Sequence, residues 1–497
     1  MASFIKKREN RYVNDLRRFG YGQSLFFGLR KVVVPLGLSV VFLAVVGSTV
    51  AGYQSTISED WLIVAIAAVV GGYMALNIGA NDVANNMGPA VGGKVLTVAA
   101  AVLIAAVCEA AGALLAGGDV VKTVSKGIIS PGPEISVMAF RDLMLSALFA
   151  AALWINLATL LSAPVSTTHS IVGGVLGAGI AVAGFGLVNW ATMAAIAASW
   201  VVSPVFGAGF AALMLYFIKV KILYAEDRLA AAQKWVPLLI ALMAAAFMAY
   251  MSLKGLKKIW RPGAVEIVFF SGLAFAAAYA LARPYISARV RALENSRSDI
   301  NQLFNVPLIA GAALLSFAHG ANDVANAVGP LAAIVSTAQQ QSEIAKEVAI
   351  PLWVMAVGAI GIALGLGLFG PKLIAVVGGK ITRLNSPRAY CVALSAAVTV
   401  LIATTLGLPV SSTHIAVGAV FGVGFLREFM ENPNKRKLRP GHNLNATSDD
   451  AFNSSGFRSV RRLVRRHFVY SIASAWVITV PASALLAALI YAGLQLL

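Results

Sequence analysis

The heptapeptide Gly-Ala-Asn-Asp-Val-Ala-Asn occurs twice in this chain, at residues 79–85 and again at residues 320–326. A Gly-Pro dipeptide follows each copy after the same short interval. A second pair of related runs, Pro-Val-Ser-Thr-Thr-His and Pro-Val-Ser-Ser-Thr-His, ends at His169 and at His414. Both pairs keep the same order and are offset by nearly the same number of residues. This pattern indicates two homologous halves.

The repeat and the distribution of polar residues together predict the organisation of the chain. We divide it into four segments: residues 1–60, a basic N-terminal segment plus an additional first span; residues 61–218, the first repeat; residues 219–302, a charged linker with connecting spans; and residues 303–497, the second repeat, which includes a polar basic loop at 427–467.

The composition is that of a membrane protein. Of the 497 residues, 59% are hydrophobic and only 12% are charged, about half the charged share of soluble domains, and the mean hydropathy is +0.80. One spanning helix needs about 20 apolar residues. The sequence therefore predicts an all-α polytopic protein with about 10–13 transmembrane segments. The glycine-rich runs at 170–187 and 413–426 are short, which leaves open whether they are crossings or half-helices.

The positive charge is concentrated at two places. Lys and Arg number 39 against 21 Asp and Glu, for a net charge of +18, and they cluster before residue 32 and within the loop at 427–467. The positive-inside rule places both stretches in the cytoplasm, against anionic membrane lipid. This explains the charge without nucleic acid as a partner. Two cysteines inside apolar runs, Cys108 and Cys391, give neither a disulfide nor a metal signal.

The repeated heptapeptides carry an acidic residue where apolar runs end. Carboxylates within a membrane are costly, at least about 2.5–3.5 kcal/mol on insertion scales, and no lysine or arginine lies within either motif. A small cation is the natural partner, held by carboxylate and amide oxygens, and sodium or a proton would serve. The alternative is a helix end capped by the Asp. The predicted cation or coupling residues of the two motifs are Asn81, Asp82, Asn85, Asn322, Asp323 and Asn326.

The hydroxyl-rich runs follow a proline, which is typical of the start of a helix. Hydroxyl and backbone N–H donors at a helix N-terminus form a site for anions. If the two runs face each other, they form a cage of donors suited to a tetrahedral oxyanion. Ordinary capping is the alternative. The predicted anion-binding residues are Ser166, Thr167, Thr168, Ser411, Ser412 and Thr413.

Three further ionisable residues lie in apolar surroundings. Glu109 lies in the middle of an apolar run, and its cost in a membrane predicts a functional role beside the cation residues. His169 and His414 each close a hydroxyl run. An imidazole there could donate to the anion, relay a proton, or only hydrogen-bond a neighbouring helix, and the sequence leaves these alternatives open.

At these residues the chain resembles the inorganic phosphate transporter (PiT) family of cation-coupled phosphate symporters. The resemblance rests on both heptapeptides, both hydroxyl runs and the stretch from Val91 through Glu109 to Ile129. It implies a secondary transporter in the cell (inner) membrane, with two inverted repeats, broken or re-entrant helices, and a homodimeric assembly. It also implies that the heptapeptide residues serve the cation and the hydroxyl runs serve inorganic phosphate. No cofactor, and no metal beyond the coupling cation, is expected.

The chain departs from the family pattern at two places. The first 52 residues look like an addition to the family core. The glutamate that many sodium-coupled members carry in the second half is replaced by Ala393. The choice between sodium and proton therefore stays open. So does the choice between phosphate and another tetrahedral oxyanion such as sulfate. An intramembrane hydrolase built on Ser166 and His169 is disfavoured, because the whole set of residues occurs twice.

Overall fold

The computed structural model of the chain describes residues 25–129, 135–161, 165–255, 260–340, 350–380, 384–431 and 467–496. Within these ranges the regular structure is helical, apart from one isolated β-bridge between Ile129 and Val188. The predicted all-α class is thereby confirmed. The basic residues before Leu25, most of the loop at 427–467, and Pro164 of the first hydroxyl run lie outside the described residues.

The helices are numbered here along the chain. They are α1 (Leu25–Gln54), α2 (Trp61–Gly92), α3 (Val98–Ala116), α4 (Gly118–Lys122), α5 (Val137–Leu160), α6 (Thr167–Ala183), α7 (Trp190–Ile218), α8 (Arg228–Tyr250), α9 (Ala264–Val290), α10 (Arg297–Leu303), α11 (Asn305–Gln340), α12 (Leu352–Lys380), α13 (Ser386–Thr405), α14 (Ser412–Glu431) and α15 (His467–Leu494). Short π-helical turns continue α4, α7 and α8, at Thr123–Gly127, Lys219–Leu223 and Met251–Gly255.

The outer helices present apolar side chains to their surroundings. By length and composition, 12 helices of the described ranges could cross a membrane, which agrees with the predicted number. The apolar window of α9 has no buried residue and that of α1 is only 11% buried. Val265 and Leu281 on α9 are 82% and 76% exposed. Such continuous apolar surface is unfavourable in water but suits lipid. The chain is an integral, multi-pass membrane protein.

Helices α2 and α11, which carry the two heptapeptides, run antiparallel. Gly71 precedes the motif in α2, and it lies against Ala327 and Leu331, which follow the motif in α11. The hydrophobic core between them is formed by small and branched apolar residues such as Ala68 and Val328. Reversed directions of two corresponding helices are what an inverted repeat predicts.

The first glycine of each heptapeptide allows a second helix to approach closely. A Cβ on Gly79 would overlap the carbonyl oxygen of Ile362 in α12, and a Cβ on Gly320 would overlap that of Glu109 in α3. Because the obstacle in both cases is backbone, a side chain at either position would push the helices apart. Helix α2 thus packs on α12 as α11 packs on α3. Ile362 and Glu109 occupy equivalent positions in the two halves.

A second pair of glycines supports this equivalence. Gly112 of α3 lies against the Phe317 carbonyl, and Gly365 of α12 lies against the Leu76 carbonyl. Phe317 and Leu76 each stand three residues before the heptapeptide glycine of their own half. The register of both helix pairs is therefore the same.

Helices α5–α6 and α13–α14 form two hairpins whose tips lie inside the bundle. Thr167, the first residue of α6, hydrogen-bonds to Asp323 near the middle of α11, and Ser412, the first residue of α14, does the same. Helix α6 has 17 residues, about 26 Å, which is less than the roughly 30 Å of a bilayer core. It packs back along α5, with Gly174 against Ala147. The runs at 170–187 and 413–426 are therefore the second arms of hairpins. By length and composition alone, α14 would have been counted as a membrane-spanning helix.

A buried arginine ties the first hairpin to the ends of the two motif helices. Arg141, at the start of α5, is 7% exposed. Its Nη1 lies 2.8 Å from Asp60 Oδ2, just before α2. Its Nη2 and Nε donate to the carbonyl and the hydroxyl of Thr337, near the end of α11, at 2.9 and 3.1 Å. The start of α5 is thereby fixed relative to both halves.

Candidate functional site

Two carboxylates from the two halves meet inside the bundle. Asp82 of α2 and Asp323 of α11 are each 1% exposed. The hydroxyl of Thr167 lies between them, 3.1 Å from Asp82 Oδ2 and 3.3 Å from Asp323 Oδ2. Among the described residues, no lysine or arginine forms an ion pair with either carboxylate. The two motif carboxylates thus lie close together, and no lysine or arginine of the described residues is paired with them.

The hydroxyls at the hairpin tips donate to these carboxylates. Ser412 donates to Asp323 Oδ2 at 3.4 Å, which mirrors the contact of Thr167 with Asp82. Thr413 donates to Asp82 Oδ1 at 3.1 Å. The groups predicted to serve an anion and those predicted to serve a cation are thus in direct contact, in one buried cluster.

The remaining hydroxyls hold the tips themselves. Ser166 and Ser411 accept hydrogen bonds from the backbone N–H groups of His169 and His414, at 3.2 and 3.4 Å. This is the capping geometry that was the alternative reading of the hydroxyl runs. Thr168 donates to the carbonyl of Val410 in the opposite tip, at 2.9 Å. The two tips therefore bond directly to each other.

The motif asparagines connect the halves. Asn85 of α2 donates to Thr413 in the second hairpin, at 2.8 Å, and Asn326 of α11 donates to Thr168 in the first, at 3.1 Å. Each asparagine therefore reaches from its own half to the hairpin tip of the other half.

The first asparagine of each motif holds the hairpin tip of its own half. Asn81 donates to the carbonyl of Val165 at 3.4 Å and to Asp82 Oδ1 at 3.2 Å. Asn322 accepts from the backbone N–H of Val410 at 3.1 Å. These amides therefore fix the extended residues that precede α6 and α14.

Glu109 is joined to the carboxylate pair through a histidine that the sequence analysis did not single out. His319 is fully buried, as is Glu109. Its Nδ1 lies 3.2 Å from Glu109 Oε2, and its Nε2 lies 3.2 Å from Asp323 Oδ2 and 3.6 Å from Asp82 Oδ2. The other oxygen of Glu109 accepts from Asn86 at 2.7 Å. Three carboxylates thus converge on one imidazole.

This part of the cluster breaks the symmetry of the two halves. His319 directly precedes the second heptapeptide, and Ile78 holds the same place before the first. Glu109 is matched by Ile362. The contact of α3 with α11 therefore has a Glu–His pair where the equivalent contact of α12 with α2 has two isoleucines, and Ile78 and Ile362 are both fully buried. The difference between Ile78 and His319 was the signal in the sequence that could have revealed the histidine.

The comparison of Ala393 with Glu109 made from the sequence needs correction. Ala393 lies on α13, where it is buried near Gly311 of α11. The packing of α12 on α2 places Ile362, rather than Ala393, at the position equivalent to Glu109. The error arose because the sequence alone does not show which helix of the second half packs as α3 does in the first.

The two histidines that close the hydroxyl runs stack together beside the cluster. Their ring centroids are 5.0 Å apart in an edge-to-face arrangement, and the ring of His169 lies 3.8 Å from that of Trp200. Both side chains are buried. These are ring contacts between helices, and they test none of the three predicted roles.

The site offers the atoms that a cation and an anion need. One oxygen of each Asp and one ring nitrogen of His319 lie within 4.8 Å of one another, close enough to share one ion. Asn81 and Asn85 donate to Asp82 Oδ1, and Asn326 donates to Thr168. The hydroxyls of Thr167, Ser412 and Thr413 can donate either to these carboxylates, as in this structure, or to an oxyanion placed between the tips.

The chain is similar to proteins that move phosphate. Residues 78–487 match the sequence profile of the phosphate transporter family. A protein of Helicobacter pylori strain J99, provisionally named a phosphate permease, is 45% identical over 513 residues, which span 94% of this chain and 96% of that protein. A relative from Pyrococcus abyssi with the same kind of name is 34% identical and spans 87% of this chain and 98% of its own. A solved structure described as the sodium-dependent phosphate transporter matches with a TM-score of 0.76 and 34% identity, over 88% of this chain and 99% of that one.

Proposed function

Because this chain belongs to the phosphate transporter family, we propose that it is a symporter that carries inorganic phosphate across the membrane together with a cation. The names of the relatives support phosphate as the substrate, and the solved neighbour, described as sodium-dependent, supports sodium as the cation. The relatives are named as transporters or permeases, which also argues against an enzyme. Ser166, the nucleophile of the disfavoured hydrolase, accepts a backbone N–H with its hydroxyl oxygen.

The observation that carries the proposal is the contact between the hydroxyls and the carboxylates. Thr167, Ser412 and Thr413 hydrogen-bond to Asp82 or Asp323. An anion that entered beside two carboxylates would be repelled by them and would compete for the same donors. A cation bound to the carboxylates removes both obstacles, because it neutralises the charge and leaves the hydroxyls to donate to the phosphate oxygens. Binding of either ion thus favours binding of the other.

This coupling gives each group a definite role. Asp82 and Asp323, with the amide oxygens of the motif, hold the cation, and the threonine and serine hydroxyls of the tips hold the phosphate. Glu109 places His319 so that Nε2 faces both Asp residues. The hairpins carry the anion donors on helix starts, where backbone N–H groups add to the attraction.

The coupling cation is proposed to be sodium, with a proton as the alternative. Sodium prefers hard oxygen ligands of the kind that the two Asp and the asparagines offer. A proton would need only one of the carboxylates. Sulfate is retained as an alternative substrate because hydroxyl donors do not choose between tetrahedral oxyanions.

The test is uptake of radiolabelled phosphate by proteoliposomes, with sodium and pH gradients imposed separately. We expect uptake only when a gradient of the coupling cation is present, and uptake at background for Asp82→Asn. Thr167→Val should also abolish uptake, while the control Thr405→Val should not, since Thr405 bonds only within its own helix, to the Leu401 carbonyl. Absence of phosphate uptake under both the sodium gradient and the pH gradient would refute the proposal. Inhibition by sulfate as strong as inhibition by unlabelled phosphate would favour the alternative substrate.

The assembly and membrane of the transporter remain predictions from the family resemblance. These are a homodimer and location in the cell (inner) membrane. The division into repeats at 61–218 and 303–497 is likewise proposed, and the antiparallel motif helices support it. Crosslinking in native membranes tests the dimer.

A further inference from the structure

A second polar cavity lies far from the carboxylate cluster. Its volume is about 240 Å³, and it is formed where the π-helical turn after α7, helix α10 and the start of α13 meet. Helix α13 has 20 residues, about 30 Å, and the cavity is at the end opposite the hairpin tip. Because α13 and α14 form a hairpin, this end faces the same side as Glu431, where the basic loop begins. The cavity therefore opens on the predicted cytoplasmic side.

The lining is strongly cationic. Lys219, Arg297 and Arg388 line the cavity, and among the described residues no carboxylate does. Asp299, two residues from Arg297, accepts a hydrogen bond from the Ser296 hydroxyl at 2.8 Å. The cavity thus combines three positive charges, and no acidic side chain of the described residues is in its wall.

The neutral lining groups add hydrogen-bonding capacity. Tyr224, Asn301 and Asn385 line the cavity beside the cations. Asn385 precedes α13 but makes no side-chain cap, and its amide donates to Asn301 Oδ1 at 3.0 Å, which joins α10 to α13. Lys219 is only 6% exposed. An anion beside it would add negative charge around a buried ammonium, which is favourable where water is scarce.

We propose that this cavity is a second anion site, which binds a phosphate group. Arginine forks pair with phosphate oxygens through two parallel hydrogen bonds, and the volume exceeds that of several waters at about 30 Å³ each. The phosphate group comes either from inorganic phosphate in solution or from the headgroup of an anionic phospholipid, since the cavity lies near the end of membrane helices. Occupancy holds the start of the second hairpin against α7 and α10.

The test compares two variants of the full chain, which remove positive charge inside and outside the lining. Arg297→Gln combined with Arg388→Gln removes two cations of the lining. Lys221→Gln removes one cation of the same π-helical turn as Lys219, but Lys221 is exposed and outside the lining. Titration calorimetry of the purified protein with inorganic phosphate tests the soluble source, and native mass spectrometry with phosphatidylglycerol tests the lipid source. Thermal unfolding shows whether each variant is folded, and Arg297→Gln alone, at an exposed residue, serves if the double variant is not.

We expect the lining variant to bind one of the two probes about ten-fold or more weakly, because it loses charge-assisted hydrogen bonds. Lys221→Gln should bind both probes as wild type does. Weaker binding of inorganic phosphate by the lining variant identifies the soluble source, and weaker binding of phosphatidylglycerol identifies the lipid. Unchanged binding of both probes would overturn the proposal. So would an equal loss in Lys221→Gln, because that result would indicate a general effect of surface charge.

Discussion

Replacing Glu109 and His319 by isoleucine, singly and together, tests the pair that distinguishes the α3–α11 contact from the equivalent α12–α2 contact. His319→Ile leaves Glu109 Oε2 without its 3.2 Å partner and removes the imidazole from Asp82 and Asp323. Glu109→Ile leaves the amide of Asn86 without its 2.7 Å acceptor. Removing one partner of a buried ion pair costs about 3–5 kcal/mol, so each single variant should lose stability of that order.

The double variant should lose less than the sum of the two single losses. Both single changes break the same Glu109–His319 contact, and neighbouring residues couple by about 0.5–3 kcal/mol. The equivalent contact between α2 and α12 gives the reason to expect a good fit, because Ile78 and Ile362 are both fully buried there. We therefore expect the double variant to unfold at a higher temperature than His319→Ile.

The assay is thermal unfolding in detergent, followed by phosphate uptake. Ile362→Val serves as the control for a changed side chain at the equivalent position, and it should cost only about 0.5–1.5 kcal/mol. If the pair only fills space, the double variant would retain uptake, whereas a role in holding the site predicts uptake near background. Additive losses of stability would refute the inference that the two residues act as one unit.

Three further predictions concern packing and the contacts between the halves. Gly320→Ala should abolish folding, since its Cβ would meet the backbone of α3, while Gly272→Ala, with open space around it, should leave the yield of folded protein unchanged. Arg141→Leu should lower the unfolding temperature more than Asp60→Asn, because Arg141 also bonds Thr337 and Asp60 is partly exposed; equal shifts would contradict this. Asn85→Ala should reduce phosphate uptake about ten-fold through loss of one hydrogen bond at the tip, and wild-type uptake in proteoliposomes would disprove that role.

The sequence predicted the parts of the site that the duplication repeats. The two Asp residues and the two hydroxyl runs could be placed together because equal motifs in equal order imply equal structure. The partner of Glu109 could not be found in this way, because it lies on a helix of the other half and depends on how α3 packs on α11. That packing follows from backbone contact at Gly320, which no periodicity of apolar residues reveals.

The capping role of Ser166 and Ser411 shows a second limit of sequence reasoning. A serine before a helix can cap the helix or donate to a ligand, and the residue type is the same in both cases. Only the position of Oγ relative to the backbone N–H of His169 distinguishes them. Threonine and serine at the next position, by contrast, point to the carboxylates, because they stand one residue further around the helix.

The crossed bonds of Asn85 and Asn326 make the two halves mutually dependent. Each motif helix hydrogen-bonds to the hairpin tip of the other repeat, so a shift of either tip would strain or break one of these bonds. If the protein carries phosphate as proposed, these bonds would couple the movements of the two tips. A polypeptide made of one repeat alone would lack the hydrogen-bond partners of both contacts. The two repeats are thus structurally dependent on each other.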